Sequence, residues 1–187
     1  MHDRFRILAL VAGLLMAAAE PICAAELATC ESALAAVFPG AAVERRSVAL
    51  SETEMAHAKE LAGEAPASRL AIWHEATRDA VVIGRGWLDT HLVRTLPETI
   101  LVSVDAQGRV LRIDVLTFRE PREYLPPVKW LAQFDGKPLS NSLAVKRDIA
   151  ALGGATLSGR AITKAVRCCL ALDSLVRARA TLPSKAP

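Results

Sequence analysis

From residue 70 to residue 118 the chain reads as strand after strand with only tight turns between them, and that spacing limits the sheet to antiparallel pairing. A parallel neighbour needs a crossover of about a dozen residues or more, usually a helix. Leu70, Ile72 and His74 alternate with Ala71, Trp73 and Glu75; Ala80-Val81-Val82-Ile83 follows, then Gly84-Arg85-Gly86-Trp87. Residues 98–104 and 110–118 predict a hairpin around Asp105-Ala106-Gln107-Gly108, with glycine where the turn wants positive φ. In its second strand Val110, Arg112, Asp114 and Leu116 oppose Leu111, Ile113, Val115 and Thr117. One face is largely polar and the other largely apolar, as in a sheet wetted on one side.

Helical signals lie on either side of this block. Residues 28–37 predict a short helix stopped by Pro39-Gly40, and Ser51-Glu52-Thr53-Glu54 is a capping box that starts a second helix running to about Ala62. Pro121, Pro126 and Pro127 break regular structure after Phe118, before a short helix over Trp130–Phe134 that Asp135-Gly136 ends. Ile162, Ala165, Val166, Cys169, Leu172 and Val176 recur at three- and four-residue steps, which predicts an amphipathic helix from about Arg160 to Ala178. The order predicts an α+β fold, a single domain whose antiparallel sheet is flanked by helices. Residues 26–68 form its N-terminal helical region, and a loose tail follows at 181–187.

The first 25 residues read as a secretory signal. Arg4 and Arg6 precede an apolar run from Ile7 to Ala19, which is shorter than the roughly 20 residues a span requires. Glu20-Pro21 breaks the run, and Cys23-Ala24-Ala25 offers small residues, which places cleavage after Ala25; an uncleaved membrane anchor is the alternative. The expected location is therefore periplasmic, with attachment to the outer face of the cytoplasmic membrane kept open. An oxidising compartment makes one disulfide an expectation, between Cys30 and either Cys168 or Cys169. A formal charge of +3 and 4% aromatic residues argue against nucleic acid. His57, His74 and His91 lack metal-ligand spacing and read as structural or solvated, so no metal is expected.

Gly153-Gly154-Ala155-Thr156-Leu157-Ser158 runs into the last helix. Small residues leave backbone N–H groups uncovered, and a helix start adds unpaired donors and the positive end of a dipole. A large anion fits such a place, and the Thr156 hydroxyl could carry a phosphate. On these residues alone, Thr156 or Ser158 serving only as a helix N-cap is the favoured account.

The wider order of motifs resembles the FMN-binding domain family, whose attachment segment Ser-Gly-Ala-Thr carries FMN through a phosphoester on its threonine. Gly84-Arg85-Gly86 resembles the family's glycine-containing strand start, and Ile100–Phe118 its central hairpin. Glu120-Pro121 resembles the acidic turn beside the flavin, Trp130–Gly136 the segment that follows, and Gly153–Ser158 the attachment motif. The resemblance makes residues 69–180 the FMN-binding domain and implies FMN covalently held on Thr156, with Gly153, Gly154, Ala155, Leu157, Ser158 and Glu120 around it. It implies an exported electron-transfer flavoprotein rather than a substrate-converting enzyme, related to the flavin subunits of the Rnf complex and of the sodium-translocating quinone reductase. Its partners would be a membrane-bound redox donor or acceptor and, during maturation, a flavin transferase. Tyr124 or Trp130 would pack on the ring or belong to the core, and Gly84 and Gly86 would admit the flavin or form a bulge. Two positions depart from the pattern. Gly153 stands where the family usually has serine or threonine, and Ala150 where it has an aspartate, with Asp148 the nearest acid. A flavin-free exported binding or assembly protein that keeps the fold is the alternative function, and a reductase with its own small substrate is another.

Overall fold

A computed structural model describes residues 27–181. The signal and its cleavage site, and the tail beyond Thr181, lie outside the described residues.

Five strands form one antiparallel sheet in sequence order: β1 (Ala42–Ala49), β2 (Leu70–Arg78), β3 (Val81–Leu92), β4 (Pro97–Asp105) and β5 (Val110–Phe118). The hairpin expected around Asp105–Gly108 is present, with Gly108 at φ 81°. The sheet begins earlier than the sequence suggests. Residues 26–68 read as helical, yet β1 lies among them and pairs with β2 over eight residues. Glu44, Arg45 and Arg46 obscure any apolar alternation there, and the strand is almost wholly exposed. Backbone pairing along the sheet edge holds it, so a domain boundary at residue 68 would cut through one sheet.

The helices are α1 (Cys30–Val37), α2 (Glu52–Ala62), the single turn α3 (Val128–Leu131) and α4 (Thr156–Thr181). The predicted capping box on α2 forms, and Gly63 closes that helix at φ 92°. Helices α2 and α4 cover one face of the sheet, where Ile100, Val102 and Val104 alternate inward beneath Ile162, Val166 and Leu170. Helix α1 covers part of the other face, where Ala33, Leu34 and Phe38 meet Ala76 and Leu101. The expectation of a sheet wetted on one side therefore fails around α1.

Bulges explain a second difference. Leu111 and Leu116 are skipped in the pairing of β5 with β4. The skip at Leu111 reverses the alternation, so Val110 joins Ile113 and Val115 in the main core; the skip at Leu116 brings Phe118 to that face as well, while Leu116 itself packs in the α1 cluster. Val110 thus leaves the polar face that strict alternation assigned to it.

Gly84 and Gly86 make room for α1. A Cβ on Gly84 would lie 2.4 Å from the Phe38 ring and 2.4 Å from the Val104 carbonyl oxygen, and one on Gly86 would lie 2.5 Å from Leu34. That close approach belongs to a helix rather than to a flavin. A bulge is also present one residue away, where Ile83 is skipped against β2.

Buried charge fixes α4 on the sheet. Asp173 is fully buried and accepts from Trp87 Nε1 at 3.2 Å and Arg177 Nε at 2.7 Å. Buried Arg85 lies 3.5 Å from the same carboxylate and 3.5 Å from Glu75. Removing one member of such a group leaves its partners charged without compensation. Asp173→Ala is expected to cost about 3–5 kcal/mol, read as a lowered urea midpoint.

Candidate functional site

Helix α4 starts one turn earlier than its apolar periodicity suggests. Gly159 N donates to the Ala155 carbonyl at 3.1 Å, so the small residues 156–159 are already helical. Glycine lets that turn pack closely, since a Cβ on Gly159 would sit 3.2 Å from the Trp130 ring, tighter than ordinary contact. Trp130 is itself buried, and its Nε1 donates to the Ala150 carbonyl at 2.9 Å. It belongs to the core and seats the start of α4.

The earlier start changes the parts assigned to the hydroxyls. Ala155 takes the N-cap position, Thr156 is the first helical residue and Ser158 the third. Neither hydroxyl is an N-cap. Helices α1 and α2 are capped by the side chains of Thr29 and Ser51. Among the described residues no side chain accepts from the N–H groups of Thr156, Leu157 or Ser158. A helix of 26 residues thus presents unpaired donors and the positive end of its dipole.

Thr156 is exposed at this point, and its hydroxyl makes only a long contact of 3.5 Å to the Leu152 carbonyl. Gly153 and Gly154 are exposed, and a Cβ on either would meet nothing within 4 Å. Gly154 has φ 75°, a backbone that favours glycine. Leu157 is 45% exposed, whereas Ala155 and Ser158 are buried and anchor the segment. The open surroundings suit a bulky phosphate ester, and the uncapped N–H groups match its charge.

A groove of about 460 Å³ begins at Leu157 and follows α4 past Arg160, Ala161 and Lys164 to Cys168. Its opposite wall is the end of β3 and the residue after it, Asp89–Val93, and its rim is the loop at Glu64–Ala67. This volume falls in the range of about 300–1,000 Å³ that holds small molecules and cofactors. Lys164 is engaged by Glu64 at 2.8 Å.

Glu120, just after β5, is 7% exposed. Its Oε1 accepts from the backbone N–H groups of Arg94, Thr95 and Leu96 at 3.0–3.2 Å. Donation from Thr95 and then Leu96 holds this carboxyl below its ordinary range. Glu120 therefore pins the β3–β4 connection, which continues the groove wall from Val93. Tyr124 lies beneath the Arg94 guanidinium, 4.4 Å from ring centroid to Cζ, and backs the same loop.

The long segment before α4 is ordered by side chains reaching backbone. Arg167 donates to the carbonyls of Leu61, Ala62, Ser140 and Leu143. Gln133 accepts from Ala150 N at 2.8 Å. Asp148, the acid nearest the position held by Ala150, accepts from Ser142 at 2.6 Å within its own turn.

The expected disulfide does not form. Cys30 packs with the α1 cluster, Cys168 and Cys169 belong to the α4 core, and the sheet lies between. Burial pushes the Cys168 thiol up to about 12 and that of Cys169 well above its ordinary value.

His91 was missed by sequence reasoning, which saw no metal spacing and read it as structural or solvated. It stands opposite Glu98 in the β3–β4 register, two residues from Asp89. Its Nδ1 lies 2.8 Å from Asp89 and its Nε2 3.1 Å from Glu98. The pairing of His91 with Glu98, seven residues further on, was the signal available in the sequence once the hairpin register was known. Among the described residues no group of three or more His, Cys, Asp or Glu is arranged to hold a metal ion.

Burial alone would lower the His91 pKa, but hydrogen bonds to Asp89 and Glu98 overcome it and push the group up to about 9. Its folded value lies above the ordinary 6.5, so its stabilisation is complete below about pH 6.5 and is lost as pH rises through about 9. Unfolding free energy should fall by about 2–3 kcal/mol over that window, and His91→Gln should flatten the decline in urea titrations at several pH values. At the start of α4, Gly154→Ala should cost about 1–2 kcal/mol because of its positive φ. Gly153→Ser should be near neutral in the same thermal or urea melts.

Residues 96–171 match the family model described as FMN-binding domain. The match runs from the start of β4 to Ala171 in α4 and takes in Glu120, Trp130 and Gly153–Ser158. Among curated proteins none matches the chain. The uncapped start of α4, the exposed threonine and the groove beside them lie together in this fold, and the segment 96–171 belongs to the FMN-binding domain family.

Proposed function

We propose that this chain is an exported flavoprotein that carries FMN as a phosphoester on Thr156 and relays electrons outside the cytoplasmic membrane. The observation that carries the reading is the exposed Thr156 hydroxyl on the first turn of a long helix whose N-terminal donors no side chain among the described residues caps. The unpaired N–H groups of Thr156, Leu157 and Ser158 would hold the phosphate, and the groove from Leu157 to Cys168 would receive the ring.

FMN supplies one- and two-electron redox chemistry when bound. The chain's own residues bind and orient it. Gly153 and Gly154 leave space around the ester, Trp130 seats the first turn of α4, and Glu120 fixes the loop that continues the groove wall. Attachment needs FAD and a flavin transferase. The Thr156 oxygen bonds to the FMN phosphorus, the pyrophosphate P–O bond breaks, AMP leaves, and the hydroxyl proton passes to a base on the transferase or to solvent.

The compartment follows from Arg4, Arg6 and the apolar run to Ala19. A covalent tether suits it, because a freely dissociating cofactor would be lost there. A membrane-bound redox donor or acceptor would meet the ring at the open groove. No helix among the described residues is long and apolar enough to cross a membrane.

Co-expression with a flavin transferase and intact-mass measurement test the tether. The expected result is a gain of one FMN less one water, with flavin fluorescence surviving denaturation. Thr156→Ala should abolish both while leaving the melt unchanged. An unmodified native chain, or an adduct that persists in Thr156→Ala, would overturn the assignment.

A further inference from the structure

We infer that Asp89, His91 and Glu98 form a proton-exchanging cluster in the groove wall, coupled to changes of charge on the flavin ring beside it. The inference rests on the flavin reading above and adds a task for residues that the tether does not use. Asp89 and His91 lie outside the 96–171 match.

The geometry is specific. Both ring nitrogens of His91 face carboxylate oxygens, at 2.8 and 3.1 Å. An ionised carboxylate only accepts, so both contacts are hydrogen bonds only when both nitrogens carry protons. The cluster therefore favours the imidazolium. Glu98 is fully buried, and its Oε1 has no hydrogen-bond partner among the described residues. Such a carboxylate is stabilised chiefly by the cation beside it, and loss of the His91 proton would leave it uncompensated. Asp89 and His91 meanwhile line the groove, so the cluster has one end in the core and one end on the space assigned to the ring.

The other charged or titratable groups on this groove do not compete for the role. From α4, Arg160 contributes a guanidinium, Lys164 is engaged by Glu64 from the α2–β2 loop, and burial pushes the Cys168 thiol up to about 12. His91 is the member of this set with carboxylates on both ring nitrogens, and they push it up to about 9.

Electrons arriving on the ring add negative charge next to the cluster and favour the protonated imidazole. Above about pH 9 the oxidised protein holds His91 neutral. Reduction by an external donor then draws one proton from solvent onto the imidazole nitrogen, and reoxidation releases it. By linkage, the same coupling makes the reduction potential depend on the state of His91.

Two measurements test this. In the flavin-free protein, NMR titration of the His91 ring should give a midpoint near 9, and Asp89→Asn should lower it by about 1 unit or more. Glu98→Gln is a second variant for the same reading if it folds. A native midpoint near 6.5 would overturn the cluster. In the FMN-loaded protein, potential is followed from pH 6 to 11 with dithionite as reductant. The native curve should steepen above about 9 by one proton per reduction, and His91→Gln should lack that steepening. Identical curves in a loaded native protein and a loaded His91→Gln variant would overturn the coupling and leave the tether standing. Failure of FMN to load would overturn the tether and the coupling with it.

Discussion

The buried contact between Asp173 and the sheet determines where the start of α4 can lie. One carboxylate meets Trp87 and Arg85 from β3 and Arg177 from its own helix. A rigid helix fixed near its C-terminal half has little freedom at its other end, because the rise per residue is set at about 1.5 Å. Seventeen positions separate Thr156 from Asp173, so the first turn is placed about 25 Å along the axis from this anchor. Trp130 against Gly159 and Arg167 on four carbonyls then hold the helix at its beginning and middle. The open site is thus the exposed end of a well-restrained rod.

Sequence periodicity made the hairpin, the capping box and the buried stripe of α4 legible, because each depends on short-range chemistry. The capping box at Ser51 and the positive-φ Gly108 needed no tertiary information. Strand β1 was hidden because its stability comes from pairing with β2 while its side chains remain in water. The bulges at Leu111 and Leu116 were hidden because a skipped residue is a property of two strands together. The start of α4 was placed late because its apolar periodicity begins only at Ile162, and the first turn is held instead by the close packing of Gly159 on the Trp130 ring. Gly84 and Gly86 signalled a close approach, but the approaching object, α1, lies some fifty residues earlier in the chain.

The candidate site was legible in the same uneven way. The run Gly153–Ser158 announced an anion site through residue type and order. The groove did not appear, because its walls come from β3, α4 and the loop after α2. Glu120 was singled out as an acid near the flavin region, and its contacts with Arg94, Thr95 and Leu96 show a carboxylate that holds a loop. His91 was set aside because it lies seven residues from Glu98, a separation that means nothing until the β3–β4 register makes them neighbours.

The absence of a side-chain cap on α4 among the described residues has an energetic meaning. Alanine at an N-cap gives up about 1 kcal/mol relative to serine, threonine, aspartate or asparagine. Helices α1 and α2, which are shorter, both carry such a cap. A bound phosphate at the same place offers up to about 2 kcal/mol in favourable geometry, enough to offset the loss. A serine or aspartate at position 155 would occupy the donors that an anion needs and set its own oxygen beside that anion. The stabilising choice for the bare protein and the accommodating choice for a phosphoester are therefore opposed at this residue. Ala155 is buried, has no polar atom in its side chain, and leaves the helix donors open to an anion.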